Sequence, residues 1–173
     1  MKLNDLSDTV AESESRRLLS VINARRKKDD AWLNHTSTPI AFDENSAFAV
    51  GMKTLFRYAR GADIPPFVVR DFLDDLLDLL FAGIASGVLA LPSFQKMADR
   101  PWAHAWQRAE IRLAFETDSP ITIPQLAHLL ALSPQQLRID IAQHIPHAPN
   151  DDLVPRDYLK AKWDELRQSC AKT

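Results

Sequence analysis

Residues 121–145, ITIPQLAHLLALSPQQLRIDIAQHI, contain two helix-start signals about a dozen residues apart. Thr122 and Gln125 form a T-x-x-Q capping box, in which side chain and backbone groups bond reciprocally across the first helical turn. Ser133 and Gln136 form a second box of the same kind. Leucines and isoleucines at helical spacing follow each start. The stretch therefore predicts two short helices joined by a tight turn, as in a helix-turn-helix.

The order of residues within this stretch is more specific than its periodicity. Four dipeptides stand at characteristic positions: Leu126-Ala127, Leu132-Ser133, Leu137-Arg138 and Asp140-Ile141. This order resembles the helix-turn-helix of DeoR-type bacterial regulators, whose pattern runs roughly L-A-x-x-x-x-V-S-x-x-T-I-R-R-D-L. The resemblance implies a non-catalytic, DNA-binding transcriptional regulator. Ile139 stands where that pattern has its second arginine, which leaves Arg138 as the only permanent cation on the second helix.

The polar side chains of this region supply candidates for DNA contacts. Base readout is predicted for side chains that can hydrogen-bond the edges of adenine or guanine. They are Gln135, Gln136, Arg138 and Gln143. Phosphate contacts are predicted for Arg100, Arg108 and Arg112. Those arginines can equally be surface residues paired with Glu110 and Glu116. Because a helix-turn-helix also occurs in domains that touch only protein, the alternative is a protein-interaction, adaptor or accessory module.

Composition limits the other classes of function. The chain has 173 residues, of which 46% are hydrophobic and 25% charged, as is ordinary for a globular protein. Its formal charge of −2 argues against a strongly non-specific nucleic-acid binder. No signal peptide and no long uncharged apolar stretch is visible, so we expect a cytoplasmic protein without membrane contact. The single cysteine, Cys170, excludes an internal disulfide.

The periodic leucine- and alanine-rich runs predict a mostly α-helical, compact fold with a C-terminal helix-turn-helix. Residues 88–91, before Pro92, allow one short β-strand pair in addition. Three segments are expected: a basic helix and connector over 1–46, a helical core over 47–100, and the helix-turn-helix with a closing helix over 101–173. Across the boundary of the first two segments, Asp43 is predicted to cap a helix over 44–60. In the third, Trp102 and Trp106 are expected to bury against Leu126 and Leu130.

Two charged segments are candidates for partner contacts. The basic run 25–28 can be a phosphate-gripping arm, the partner of an acidic surface, or a solvated helix end. Four aspartates at spacings of three, four and seven share one stripe of the helix that begins near residue 67. They are Asp71, Asp74, Asp75 and Asp78. This stripe predicts either a basic partner, from this chain or another, or a solvated face.

Metal, cofactor and catalytic sites are not predicted. A straight helix cannot wrap the four aspartates around one ion. His144 and His147 lack a third ligand nearby in sequence. The chain contains no nucleotide-binding, hydrolase or zinc-protease motif, which favours a non-enzymatic protein. Since helix-turn-helix proteins usually span two half-sites with two copies, the apolar stripe of the last helix favours a homodimer.

A second, less specific similarity covers the middle of the chain. Residues 76–83, LLDLLFAG, lead to Pro92 and then to Arg100-Pro101 before a helix. This layout resembles the C-terminal regulatory region of bacterial lysine-methyltransferase-like proteins. No glycine-rich nucleotide loop precedes it, so the resemblance implies only an accessory role in a modification system.

Overall fold

The computed structural model describes residues 6–34, 36–81, 100–130, 132–146 and 152–171, and these residues are mostly α-helical, as predicted. The helices are α1 (Asp8–Leu33), α2 (Ala47–Ala59), α3 (Pro66–Phe81), α4 (Pro101–Glu116), α5 (Ile123–Leu129), α6 (Pro134–His144) and α7 (Arg156–Ala171). Within this described part, the β pairing is limited to one antiparallel bridge, between Thr122 and Leu153. The strand predicted at 88–91 lies outside the described residues.

Helix α2 begins three residues later than predicted, because Ser46 rather than Asp43 is its N-cap. The Ser46 Oγ accepts a hydrogen bond from the Ala49 backbone N–H at 3.2 Å. Asp43 instead accepts from the Asn45 N–H at 2.9 Å, closing a turn before the helix. The side chains of Asp and Ser can either cap a helix or close a turn, and Asp43 closes the turn here.

The first hydrophobic core joins α1, α2, α3 and the first half of α4. Its largest fully buried side chains include Leu6, Met52, Leu55, Phe56, Leu73 and Leu76. The apolar sides of α2 and α3 face this core, as their helical spacing requires. Burial of a side chain of this size is worth about 1.5–3 kcal/mol.

Polar contacts between helix ends establish the relative directions of α1, α2 and α4. Asp8, at the start of α1, accepts from Arg57 and Arg60 at the end of α2. Tyr58, also at the end of α2, donates to Glu116 at the end of α4. Helices α1 and α2 are thus antiparallel, and the end of α1 lies at the same end of this bundle as the start of α4.

A second core joins the other half of α4 to α5, α6 and α7. Its buried side chains include Ile111, Leu126, Leu137, Ile141, Tyr158 and Trp163. Helix α4 contributes to both cores, so the segments predicted as 47–100 and 101–173 share one helix. The expected burial of Trp102 and Trp106 against Leu126 and Leu130 is wrong, since both tryptophans lie in the first core, with ring centroids 5.7 Å apart. They lie on the half of α4 that packs against α1–α3.

Phe72 of α3 lies directly against Gly51 of α2. A Cβ at this position would lie 2.1 Å from Cδ2 of Phe72, well inside van der Waals contact. We expect Gly51→Ala to lower the free energy of unfolding by about 1–3 kcal/mol through overpacking. This cost outweighs the gain of about 1 kcal/mol from the better helix propensity of alanine. Urea denaturation measures the difference.

A double-mutant cycle with Phe72→Leu tests the origin of that loss. Shortening the ring should make Gly51→Ala neutral or stabilising in the double variant. The steric explanation fails if Gly51→Ala costs the same in both backgrounds.

Candidate nucleic-acid interface

Both predicted capping boxes are present and start α5 and α6. Thr122 Oγ accepts from the Gln125 N–H at 3.3 Å, and Gln125 Oε1 accepts from the Thr122 N–H at 2.8 Å. In the second box the corresponding distances, between Ser133 and Gln136, are 3.1 and 2.9 Å. Gln136 is therefore a capping residue, and its carboxamide oxygen already accepts one hydrogen bond. The amide nitrogen and the second lone pair of that oxygen are left for contact with a base.

Helices α5 and α6 pack through a small, fully apolar contact. Leu126 and Ala127 of α5 are buried with Leu137 and Ile141 of α6. The Leu132 N–H donates to the Ala127 carbonyl at 2.9 Å, which closes the connection between the two helices. The predicted arrangement of helix, turn and helix is thus confirmed, and it fixes which side of α6 faces outward.

The outward side of α6, which we call the neutral face, carries no charged residue. Its members are Gln135, Gln136, Ile139, Ala142 and Gln143, all exposed. Spacings of three, four and seven place them on one side of the helix. Ile139 is 61% exposed. The neutral face thus combines carboxamides with apolar groups.

Arg138 lies beside the neutral face and forms an ion pair. Its Nη2 is 2.5 Å from Oδ1 of Asp152, whose side chain is 74% exposed. Backbone hydrogen bonds from Ile123 to the Asp152 carbonyl and from Val154 to the Ile121 carbonyl hold this aspartate next to α6. An exposed ion pair is worth at most about 1 kcal/mol.

Two of the three arginines predicted to contact phosphate are buried. Arg100 precedes α4 and is exposed. Arg108 is only 6% exposed and Arg112 only 7%. Both belong to faces of α4 that pack against other helices, because the two cores together enclose most of this helix. The structure does not present them to a phosphate, and we withdraw Arg108 and Arg112 from the interface.

Arg112 instead connects three helices. Its Nη1 donates to the carbonyl oxygens of Tyr58 and Ala62, at 2.8 and 2.9 Å, and its Nε donates to Glu116 at 2.6 Å. The guanidinium also lies over the rings of Tyr58 and Trp163, at 4.0 and 5.4 Å from their centroids. Burial, followed by the hydrogen bond to Glu116, raises the pKa of Tyr58. Arg112 is thus part of the fold.

A polar cluster around Asp140 fixes α6 to α7. The Asp140 carboxylate accepts from the hydroxyl of Tyr158, which lowers the pKa of Asp140. Lys162 lies 3.5 Å from the same carboxylate and 3.0 Å from Glu165. His144 bonds the Asp140 carbonyl at 2.8 Å and Glu165 at 3.3 Å, and the first of these contacts raises its pKa. The cluster orients α6 from its inner side.

The sequence also raised a metal site formed by His144 and His147. His147 lies outside the described residues. In the portion of the chain that the structure describes, no three His, Cys, Asp or Glu side chains are grouped so as to hold a metal ion. His144 acts here as a helix-to-helix contact.

The shifts at Asp140 and His144 predict a pH window for stability. The raised pKa of His144 gives stability that is complete below its unfolded value of 6.5 and is lost as pH rises through the folded value. The lowered pKa of Asp140 gives stability that is present above 3.8 and is lost as pH falls through the folded value. Both contributions are therefore present between these two pH values.

We expect the stability difference between the protein and its His144→Gln variant to shrink between pH 5.5 and pH 8.5. The change should be at most about 1 kcal/mol, because the ion pairs of His144 are largely solvent-exposed. Thermal unfolding across this range measures it. Equal differences at both pH values would contradict the assignment.

The acidic stripe of α3 is solvated as far as it is described. Asp71, Asp74 and Asp75 are exposed, and none of them forms an ion pair with another described residue. Asp78 belongs to α3, but its side chain lies outside the description. Within those limits the stripe is free to meet an external partner.

Two further observations concern the whole chain. No helix among the described residues is long and apolar enough to cross a membrane. Comparison with known proteins found no protein-family model, no curated protein and no solved structure that matches the chain.

Proposed function

We propose that this chain is a non-catalytic, DNA-binding transcriptional regulator that places α6 in the major groove of duplex DNA. The observation that carries the proposal is the neutral face, Gln135 with Ile139, Ala142 and Gln143 exposed together on one side of a capped helix. A major groove about 12 Å wide admits an α-helix. The capping box fixes the start of this helix, and the Asp140 cluster holds the helix against α7.

The chemistry of the neutral face favours A·T base pairs. A glutamine carboxamide can both accept from N6 and donate to N7 of adenine, and an aliphatic side chain can contact the thymine methyl group. Gln135 and Gln143 are the base-reading candidates outside the cap, while the oxygen of Gln136 already accepts the hydrogen bond of the capping box. Arg138 is the candidate that exchanges Asp152 for a guanine edge or a phosphate.

Few cations surround this face, which bears on how tightly one copy can bind. Affinity for DNA depends largely on the number of phosphates that a protein neutralises. With Arg108 and Arg112 buried, one copy has limited affinity, and two copies on two half-sites compensate for it. We therefore propose a homodimer on DNA. A bacterial regulator of this kind acts in the cytoplasm.

Selection from a random duplex pool, followed by fluorescence anisotropy over a salt series, tests the proposal. We expect enriched A·T-containing sites and an affinity that falls steeply with salt. Gln135→Ala and Gln143→Ala should each weaken binding to the selected site by about 1–3 kcal/mol and leave random DNA nearly unaffected. Gln168→Ala, an exposed glutamine on α7, is the matched control. Absent or salt-independent binding would remove the proposal.

A protein-interaction module is the second candidate, and it is favoured by exposed apolar side chains on the same region. Ile139 is 61% exposed and Leu132 is 36% exposed. Such residues suit the centre of a protein interface, which is depleted of charge. An adaptor or accessory subunit of a modification enzyme would co-purify with its partner. Asp74→Lys with Asp75→Lys should release a partner that binds the acidic stripe, and unchanged co-purification would exclude that surface.

A further inference from the structure

The C-terminal part of α1 continues beyond the last of its described side chains that is buried. That side chain is Ile22, and the helix continues to Leu33. Eleven further residues correspond to about 16 Å of helix. This extension carries Arg26, Lys27 and Lys28, all exposed.

The connector after α1 folds back along this extension. The Asn23 carboxamide pairs with both backbone groups of Ile40, at 2.9 Å each. The Asp30 carboxylate accepts from the backbone N–H and the hydroxyl of Ser37, at 3.1 and 2.7 Å. These four hydrogen bonds hold the connector beside the helix.

Between helix and connector lies a groove of about 560 Å³. Arg26 and Lys27 line it together with Thr36, Ser37 and Thr38, and its apolar lining comes from Ala24, Ala31 and Pro39. The carboxylate among these lining residues, Asp30, is engaged by Ser37. We call this the α1 groove. It joins cations, hydroxyls and small apolar side chains in one place.

The cations of the α1 groove differ from most other cations of the described residues in their ion pairing. Carboxylates of this chain lie within ion-pair distance of Arg16, Arg17, Arg57, Arg60, Arg70, Arg112, Arg138, Arg156 and Lys162. Among the residues that the structure describes, none of those pairs includes Arg26, Lys27 or Lys28. Three adjacent, solvated cations are thus available for an external anion.

We propose that the α1 groove binds the phosphate backbone of duplex DNA and supplies the phosphate contacts that α4 does not. Lysine and arginine neutralise phosphates, hydroxyls donate to their oxygens, and a small apolar surface accommodates the sugar. The exposed Arg100 adds a cation at the same end of the bundle, where α4 starts. This inference rests on the proposed DNA binding, and it assigns positioning to α1 and base reading to α6.

The three cations cannot all contact one strand. Consecutive helical positions are separated by about 100° around the axis, so Arg26 and Lys28 point in widely different directions. Arg26 and Lys27, which line the groove, are the pair that we expect to contact phosphate. Lys28 does not line the groove, so we expect it to attract DNA only through the long-range electrostatic field of its charge.

The experiment compares two double variants that remove the same charge. Arg26→Ala with Lys27→Ala changes the groove, and Lys160→Ala with Arg167→Ala changes exposed positions on α7. Binding to the selected duplex and to random duplex is measured over a salt series. We expect the groove variant to bind both duplexes roughly tenfold more weakly near 0.1 M salt. The slope of log K against log salt concentration should be less steep for the groove variant by about 1.8. This is about 0.9 for each phosphate that the variant no longer neutralises.

The possible results separate this inference from the proposed function. If the unmodified protein binds no duplex, the proposed function fails and the groove assignment fails with it. If the protein binds but both double variants behave alike, the groove is not a phosphate site and the function of α6 stands. Polyglutamate, titrated in place of DNA, tests for an acidic protein partner. If the groove variant lost polyglutamate binding while its DNA binding stayed unchanged, the DNA assignment of the groove would be overturned.

Discussion

Replacing Arg112 with methionine is expected to lower the free energy of unfolding by about 3 kcal/mol. Breaking a buried ion pair costs about 3–5 kcal/mol, and the partial exposure of Glu116 places this case at the lower end. The substitution also leaves the carbonyls of Tyr58 and Ala62 without their donor. For a chain of this length the loss corresponds to roughly 6–12 °C in Tm. Chemical and thermal denaturation both measure it.

Arg70→Met provides the matched control for this prediction. Arg70 also pairs with a carboxylate, at 3.2 Å from Glu110, but its side chain is 40% exposed. We expect that variant to lose less than about 1 kcal/mol. Arg112→Lys should fall between the two, because lysine keeps the charge and loses the planar set of donors. Equal losses for Arg112→Met and Arg70→Met would show that Arg112 does not have the structural role assigned here.

Replacing Ile139 with glutamate is expected to reduce DNA affinity by about a hundredfold or more, without unfolding the protein. The carboxylate would enter a groove flanked by phosphates, and the variant would no longer present an apolar group to a thymine methyl. A hundredfold change equals about 2.8 kcal/mol of binding free energy. Because Ile139 is 61% exposed, stability should change by no more than about 0.5 kcal/mol. Anisotropy titration and thermal unfolding of the same samples test both parts.

Val50→Glu introduces the same charge at a comparably exposed aliphatic residue of α2. This control accounts for the effect of one added negative charge on a chain whose net charge is already −2. We expect it to weaken binding only slightly. If both glutamate variants lose affinity equally, α6 is not the surface that enters the groove.

The sequence predicted the helices and much of the neutral face, because the signals involved are local. Each capping box is a contact between residues three apart, so Ser133 and Gln136 mark the start of α6 wherever the rest of the chain packs. The exposure of Gln135 and Gln143 follows in the same way from helical spacing opposite Leu137 and Ile141. Neither prediction requires knowledge of distant residues.

The arginines of α4 show where such reasoning ends. Arg108 and Arg112 have the spacing of a surface stripe, and pairing with Glu110 or Glu116 was the alternative interpretation of that spacing. The Arg112–Glu116 contact is indeed a local one, four residues apart. Its burial is not local, because the backbone oxygens of Tyr58 and Ala62 that enclose the guanidinium lie 54 and 50 residues away in the chain. The α1 groove likewise depends on a connector that bonds back across 17 residues.

The amino-acid sequence by itself determined that this protein is mostly helical, where α5 and α6 begin, and which side of α6 is apolar. Hydrogen bonds and hydrophobic periodicity within one or two helical turns carry that information. Only the tertiary structure decided that α4 serves two cores, that Arg112 is enclosed, and that Arg26 and Lys27 line a groove beside α1. Those outcomes depend on which distant surfaces meet, since packing removes some charges from water and leaves others exposed.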